Sequence, residues 1–366
     1  MKSARYSTGL RRMVSAAGLF VATLSFIAPN ASATTVNIPS FSAPDAIAVS
    51  GSDVWVVNLL GNSVTEFNVS DGSLVRVINA RADRFRRPTG IAVGGSHVWV
   101  TNSNEELGMG TTGYPLAKYS SVTELNVSNG SLVRVISAKA DKFLQPGPIA
   151  IGGSHVWVVN ANSGGAMNAL VELNASNGSL VRVFKGTTDG LNGPLGIAAS
   201  GSHVWVTCFH SITELNARSG SLVRVINAKA DGLIAPDGVA VGGSLVWIAN
   251  IRQGENSITE LNASNGSLVR VIKAKADRFN GLLGITANTS HVWVTNGNGY
   301  ENGTNTNSIT ELNASNGSLV RVINLKADGI YGPTAVVVSG SKLWVLNTNS
   351  VTELKTSDGL LVRVIK

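Results

Sequence analysis

Sulfur, charge and aromatic rings are all scarce in this chain, and each shortage closes off a class of protein. Cys208 is the one cysteine among 366 residues, so there is no internal disulfide framework, and stability in an oxidising exterior has to come from packing. Charged residues make up 14% and aromatics 6% of the sequence. Basic residues outnumber acidic ones by 29 to 22, but Lys2, Arg5, Arg11 and Arg12 all fall in the first 33 residues, which hold no acid. Without that stretch 25 basic residues face 22 acidic ones, a net charge of +3, and the pI near 9.6 gives little reason to expect a nucleic-acid partner. The chain has no phosphate loop, dinucleotide fingerprint, paired-cysteine zinc site or HExxH sequence, which removes several common enzyme classes.

Long apolar runs are lacking too, with one exception. Met13 to Ala28 is apolar, follows the basic start and precedes Ala31-Ser32-Ala33, small residues suited to signal peptidase. The run is shorter than the roughly 20 residues that span a bilayer, so it reads as a cleavable export signal over residues 1–33. The expected mature protein is secreted or extracytoplasmic, with no integral membrane anchor, a lead-in over 34–43 and one domain over 44–366.

What the chain has in abundance is repetition. Trp55, Trp99, Trp157, Trp205, Trp247, Trp293 and Trp344 each sit in a V-W-(V/I) or L-W-V core, and they mark seven units. A unit reads P-x-G-I-A-V-G-G-S-H-V-W-V-T-N, then a variable stretch, then S-I-T-E-L-N-A-S-N-G-S-L-V-R-V-I. Each holds four short β-rich runs, A to D, which in the second unit are Ile91 to Val93, His97 to Thr101, Ser121 to Asn126 and Ser131 to Ile136. Seven such sheets set radially bury their faces against one another, so the sequence predicts an all-β protein, a seven-bladed β-propeller with four antiparallel strands per blade.

Spacing carries further expectations. Glu66 and Arg76 lie ten residues apart, and the interval recurs in every unit to Glu353 and Arg363. With Ser128-Asn129-Gly130 as a type I turn ending in left-handed glycine, Glu124 faces Arg134 across the C-to-D hairpin as a structural ion pair. Asn68, Asn126, Asn174, Asn262 and Asn313 in Asn-x-Ser sequences read as turn chemistry. Asp83, Asp141, Asp189, Asp231, Asp277 and Asp328 each stand sixteen residues before a tryptophan, so the D-to-A crossover has constant length. Those aspartates are candidate donors to a cation, with local pairing or turn capping as the competing reading. His97, His155, His203 and His291 fall on the A-to-B edge. Cys208 and His210 form a nucleophile-and-base pair only on paper, since no third partner is in sight and a small buried thiol explains the cysteine. For ring closure, Thr34 to Pro39 is too short to replace an outer strand, so two intact terminal blades should meet without strand exchange, with side-chain packing or the N-terminal segment sealing their junction.

Variation is confined to the B-to-C connection, where the Trp-to-Glu interval is 11, 25, 15, 9, 13, 18 and 9 residues along the chain. In a meander these loops share a face with the D-to-A crossovers, opposite the A-to-B and C-to-D turns. The candidate binding residues are accordingly Glu105, Glu106, Tyr114, Lys118 and Tyr119 in the second unit, Arg252 and Glu255 in the fifth, and Tyr300 and Glu301 in the sixth.

V-W-V-T-N followed by N-S-I-T-E-L-N-A-S-N-G-S-L-V-R-V-I resembles the YVTN and NHL-type propeller families from Pro44 onward, and single-stranded nucleic-acid binding has precedent among such propellers. The P-x-G-I starts and V-W strand are also similar to the streptogramin B (virginiamycin B) lyase family, whose metal-dependent elimination that resemblance would imply. That family places histidine and glutamate near the central channel. Here the starts read P-T-G-I, P-D-G-V and P-T-A-V, and Thr-Asn or Val-Asn follows strand B, so no catalytic residue carries over. The function expected is a non-catalytic binding or scaffold module for a protein, peptide or surface polymer. A metal-assisted lyase or hydrolase is the alternative; no cofactor is identified.

Overall fold

The computed structural model of the chain describes residues 34–38, 41–79, 85–103, 120–137, 143, 145–160, 169–186, 189–227, 232–252, 255–273, 279, 281–297, 307–324 and 331–366. These residues form seven sheets, each with four antiparallel strands in chain order, one of which takes a further strand from the start of the described chain. Blade 2 is typical: strand A is Pro88–Gly94, B is His97–Asn102, C is Ser121–Asn126 and D is Leu132–Ser137. No helix among the described residues is long and apolar enough to cross a membrane.

The repeated tryptophans form the core. All seven are at most 1% exposed, and each packs between its own blade and a neighbour: Trp99 stands with Val156 and Val158 of blade 3, Trp293 with Leu343 and Val345 of blade 7. Strand A is innermost, and adjacent A strands approach so closely that a Cβ on Gly90 would strike the Gly147 carbonyl and one on Gly196 the Asp237 carbonyl. At Gly90 and Gly196 the glycine of P-x-G is therefore required by the close approach of the next strand A, whereas blades 1, 3 and 7 carry Ala46, Pro148 and Ala335 there.

The two faces are distinct. On one, the backbone N–H of the first residue after strand C donates to the A-to-B turn in every blade, from Val69 to Ser52 at 2.6 Å through to Thr356 to Ser341 at 3.0 Å. On the other, the residue that follows strand B donates to the crossover entering strand A, as with Leu59 to Ala43, Ser103 to Arg87, Phe209 to Asn192 and Ile251 to Ala235, at 2.9–3.1 Å. The variable loops and the crossovers therefore do share a face.

The register places Glu opposite Arg in all seven hairpins, with Arg Nε to Glu Oε2 distances of 2.6–3.0 Å. A bulge follows each glutamate, and the turn glycine is left-handed, φ 68° at Gly130. Asn126 Oδ1 accepts from the Ser128 N–H and hydroxyl at 3.0 and 2.8 Å, which is the turn chemistry expected of the Asn-x-Ser sites.

Ring closure adds a strand to what the sequence led us to expect. Both terminal blades are intact, but Thr34–Val36 adds to blade 7 as a fifth, parallel strand, Thr34 to Val36 pairing with Arg363 to Ile365. Three residues are too few to replace a strand, yet they match the length left on strand D beyond its bulge at Glu353/Leu354.

Candidate functional site

Each variable loop springs from a fixed stem. The strand-ending asparagines Asn58, Asn102, Asn250, Asn296 and Asn347 are at most 1% exposed and donate from Nδ2 to a serine and a threonine on strand C, in blade 1 to Ser63 at 3.1 Å and Thr65 at 2.9 Å. The Oδ1 of Asn102 and Asn250 accepts from the crossover N–H of Arg86 and Ile234 at 3.4 and 3.3 Å. In blades 2 and 5 one buried amide thus ties strand B, strand C and the crossover where the loops depart. Sequence reasoning registered this asparagine as part of a motif without seeing its role; the signal was a polar residue at an otherwise apolar strand end.

Blade 4 has Cys208 in place of that asparagine, and the thiol is fully buried. Burial pushes its pKa up to about 11, against weaker opposing hydrogen bonds from Asn192, Thr213 and Ser211. It is a neutral packing group there, unsuited to attack.

The nine predicted binding residues divide sharply. Glu105, Glu106, Tyr114, Lys118, Tyr119, Tyr300 and Glu301 lie outside the described residues. The stem of the blade 2 loop is described: Ser103 N–H donates to Arg87 O at 3.1 Å and Ser120 Oγ to Ser103 O at 3.1 Å. Arg252 and Glu255 are brought together, 3.4 Å apart and 60% and 59% exposed. The Glu255 N–H donates to Arg252 O at 2.8 Å, so they form a compact solvent-facing turn.

Other side chains on this face escaped the sequence reading. Leu60 and Phe209 in B-to-C turns, Leu283 at the start of a strand A and Tyr331 in a crossover are 43–51% exposed. Asp45 and Asp237 hold the second position of strand A in blades 1 and 5, near the axis. Partial desolvation by the surrounding ring lifts Asp45 to about 6, with Arg87 acting against it; desolvation raises Asp237 as well. Of the six crossover aspartates only Asp189 is described, and its Oδ2 accepts from the Lys185 N–H at 2.7 Å, a local cap. No three His, Cys, Asp or Glu side chains among the described residues are grouped to hold a metal ion.

On the opposite face each glutamate is fully or almost fully buried, and in five blades a residue at the start of strand B adds a second partner, where blades 1 and 5 have Asp53 and Leu245. His97, His155, His203 and His291 lie 2.5–3.7 Å from their glutamates, and Lys342 Nζ lies 2.9 Å from Glu353. The arginine also reaches across the blade boundary: Nη2 of Arg134, Arg182, Arg224, Arg270 and Arg321 donates to a serine carbonyl in the next blade's C-to-D turn, and Arg363 does so to Ser70 of blade 1, at 2.8–3.3 Å. These acids are structural fasteners of the ring.

No family model matches the sequence, and no curated protein matches it. Among solved structures, the chain is similar to hydrazine synthase of Kuenenia stuttgartiensis, with a TM-score of 0.65 and 16% identity over 91% of this chain and 99% of that one. It is similar to a streptogramin B lyase at a TM-score of 0.62 and 17% identity over 86% and 96%. A functionally unknown protein from Desulfotomaculum acetoxidans gives 0.62 and 13% over 86% and 95%. At these identities the likeness is one of fold.

Proposed function

We propose that this protein is an exported, non-catalytic binding module that recognises a protein, peptide or surface polymer through the face bearing the B-to-C loops. The observation that carries the reading is asymmetry between the faces. One is fixed by the same Glu–Arg pair in all seven hairpins, while the other takes connections of very different length on stems held by buried asparagines. A rigid ring that varies in one loop class suits recognition. Export rests on the leader-like residues 1–33. The lyase alternative draws on a fold shared with streptogramin B lyase and on the aspartate-bearing crossovers of the same face.

The test is affinity capture from surface and culture extracts of the producing organism, comparing the mature protein with a variant whose 103–120 loop is shortened. A specific partner captured by the first and lost by the second is the expected result. Equal capture by both removes the loop face from the account, and a tightly retained divalent ion with eliminase activity would favour the lyase.

A further inference from the structure

Between successive blades 1 to 6, the crossover itself supplies an apolar plug three residues before the next strand A begins: Phe85, Phe143, Leu191, Leu233 and Phe279, all at most 6% exposed. At the seam between blades 7 and 1 that offset falls on Phe41, 7% exposed and edge-on to Phe67 at 6.5 Å. Here the plug is not continuous in sequence with the preceding blade. Thr34–Val36 lies along Arg363 to Ile365, the Ile38 N–H donates to Lys366 O at 2.7 Å, and the Lys366 N–H donates to Val36 O at 2.9 Å. Val36, Ile38 and Phe41 enter a slot walled by Phe67 of blade 1 and by Trp344, Leu346, Val351 and Ile365 of blade 7.

The seam is thus a receptor for the strand Thr34–Val36 and for the apolar side chains of Val36, Ile38 and Phe41, held to blade 7 without a covalent link. Ser42 and Ala43 tether the segment to blade 1; Ala43 is left-handed, φ 49°, as are Arg87 and Ala235 before strand A in blades 2 and 5, but at the seam the chain before it has no covalent link to the preceding blade. The Ser42 and Ala43 carbonyls accept from Leu59, Leu60 and Gly61 at 2.9–3.3 Å. Extending the hinge gives those bonds to water and releases the disfavoured conformation. A short, strained hinge beside an element whose acceptor recurs in every copy favours exchange over simple loss.

We propose that the blade 7 to blade 1 slot is a segment-acceptor site and that its alternative occupant is residues 34–41 of a second copy, giving a strand-exchanged dimer. The contacts in the slot are the same in both forms. The tethered segment competes at an effective concentration on the order of 1 mM, so the dimer should accumulate as protein concentration approaches that range and persist after dilution because the slot must empty first.

The test is light scattering on the mature protein after incubation at roughly 1 mM with brief warming, followed by dilution. A long-lived dimer is expected, and Ala43→Gly, which removes the hinge strain, should lower its yield about fivefold or more. In a Cys208→Ala background, Thr35→Cys with Val364→Cys sits at a paired register position; mild oxidation should link the two chains of the isolated dimer to each other. A synthetic peptide of residues 34–41 in excess should return the unmodified dimer to peptide-bound monomer, a readout that needs no variant to fold. Absence of a dimer, a dimer carrying only intrachain cross-links, or a dimer indifferent to the peptide would each overturn the proposal.

Discussion

Single residues set the strength of each hairpin, and the blades provide their own controls. Glu260 is 1% exposed and paired with Arg270 at 2.8 Å, with Leu245 where blades 2, 3, 4 and 6 have histidine, blade 7 lysine and blade 1 Asp53. Arg270→Ala leaves a buried carboxylate without its charge partner, a change expected to remove about 3 kcal/mol at pH 8. Burial already raises the Glu260 pKa against the pull of Arg270, and losing the arginine raises it further. The variant's native state then binds a proton that the unfolded chain releases, so the penalty should shrink as pH falls through the raised pKa. Urea melts at pH 8 and pH 5 check this; an equal loss at both would contradict it. Blade 1 tests the opposite sense. Burial pushes Glu66 up to about 7, Arg76 opposing and Asp53 reinforcing the rise, so this group favours folding below about pH 4.5 and progressively loses that contribution as pH rises to 7. Asp53→Asn should stabilise the protein at pH 8 and change little at pH 5, as read by the melting temperature.

Turns and strands join those residues into a ring, and glycine separates local strain from packing between blades. Gly95 in the A-to-B turn and Gly130 in the C-to-D turn have φ of 59° and 68°. A Cβ on Gly95 meets nothing within 4 Å, whereas one on Gly130 meets Ile78 Cδ1 at 2.8 Å and Arg76 Cδ at 2.9 Å on the preceding blade. Gly95→Ala should lose about 1 kcal/mol for the left-handed backbone alone; Gly130→Ala should lose at least about 1 kcal/mol more from displaced packing. Equal losses in denaturant melts would mean that the turn does not bear on its neighbour. Much at this scale was legible in the sequence. The ten-residue Glu-to-Arg interval fixed the hairpin register because a turn of known length makes symmetric positions face each other. The arginine's second bond, to the next blade, was not legible, since hairpin spacing says nothing about how sheets stack. Thr34–Val36 was missed because three β-branched residues fall below the length at which alternation can be read. Phe41 was the available clue, standing three residues before Pro44 as Phe85 stands before Pro88.

At the scale of the molecule, seven near-identical units divide the protein into a conserved fastening face and a varied loop face. The candidate site was legible there only as a location: unequal Trp-to-Glu intervals marked the face, while Phe209, Leu283, Tyr331, Asp45 and Asp237 gained meaning only once the ring placed them on it. Blade 4 shows how little connection the fold requires, since strand B ends at Cys208 and strand C begins at Ser211. The measurement that bears most directly on the account replaces the B-to-C connections of blades 2, 3, 5 and 6 with the Phe-His turn of blade 4, and reads melting temperature and partner capture on the same preparation. The account predicts a propeller that melts within a few degrees of the parent, because shortening surface loops alters closure entropy only modestly, and that captures nothing specific from the surface extract. A stripped ring that still captures the same partner at unchanged yield would contradict recognition through the loop face.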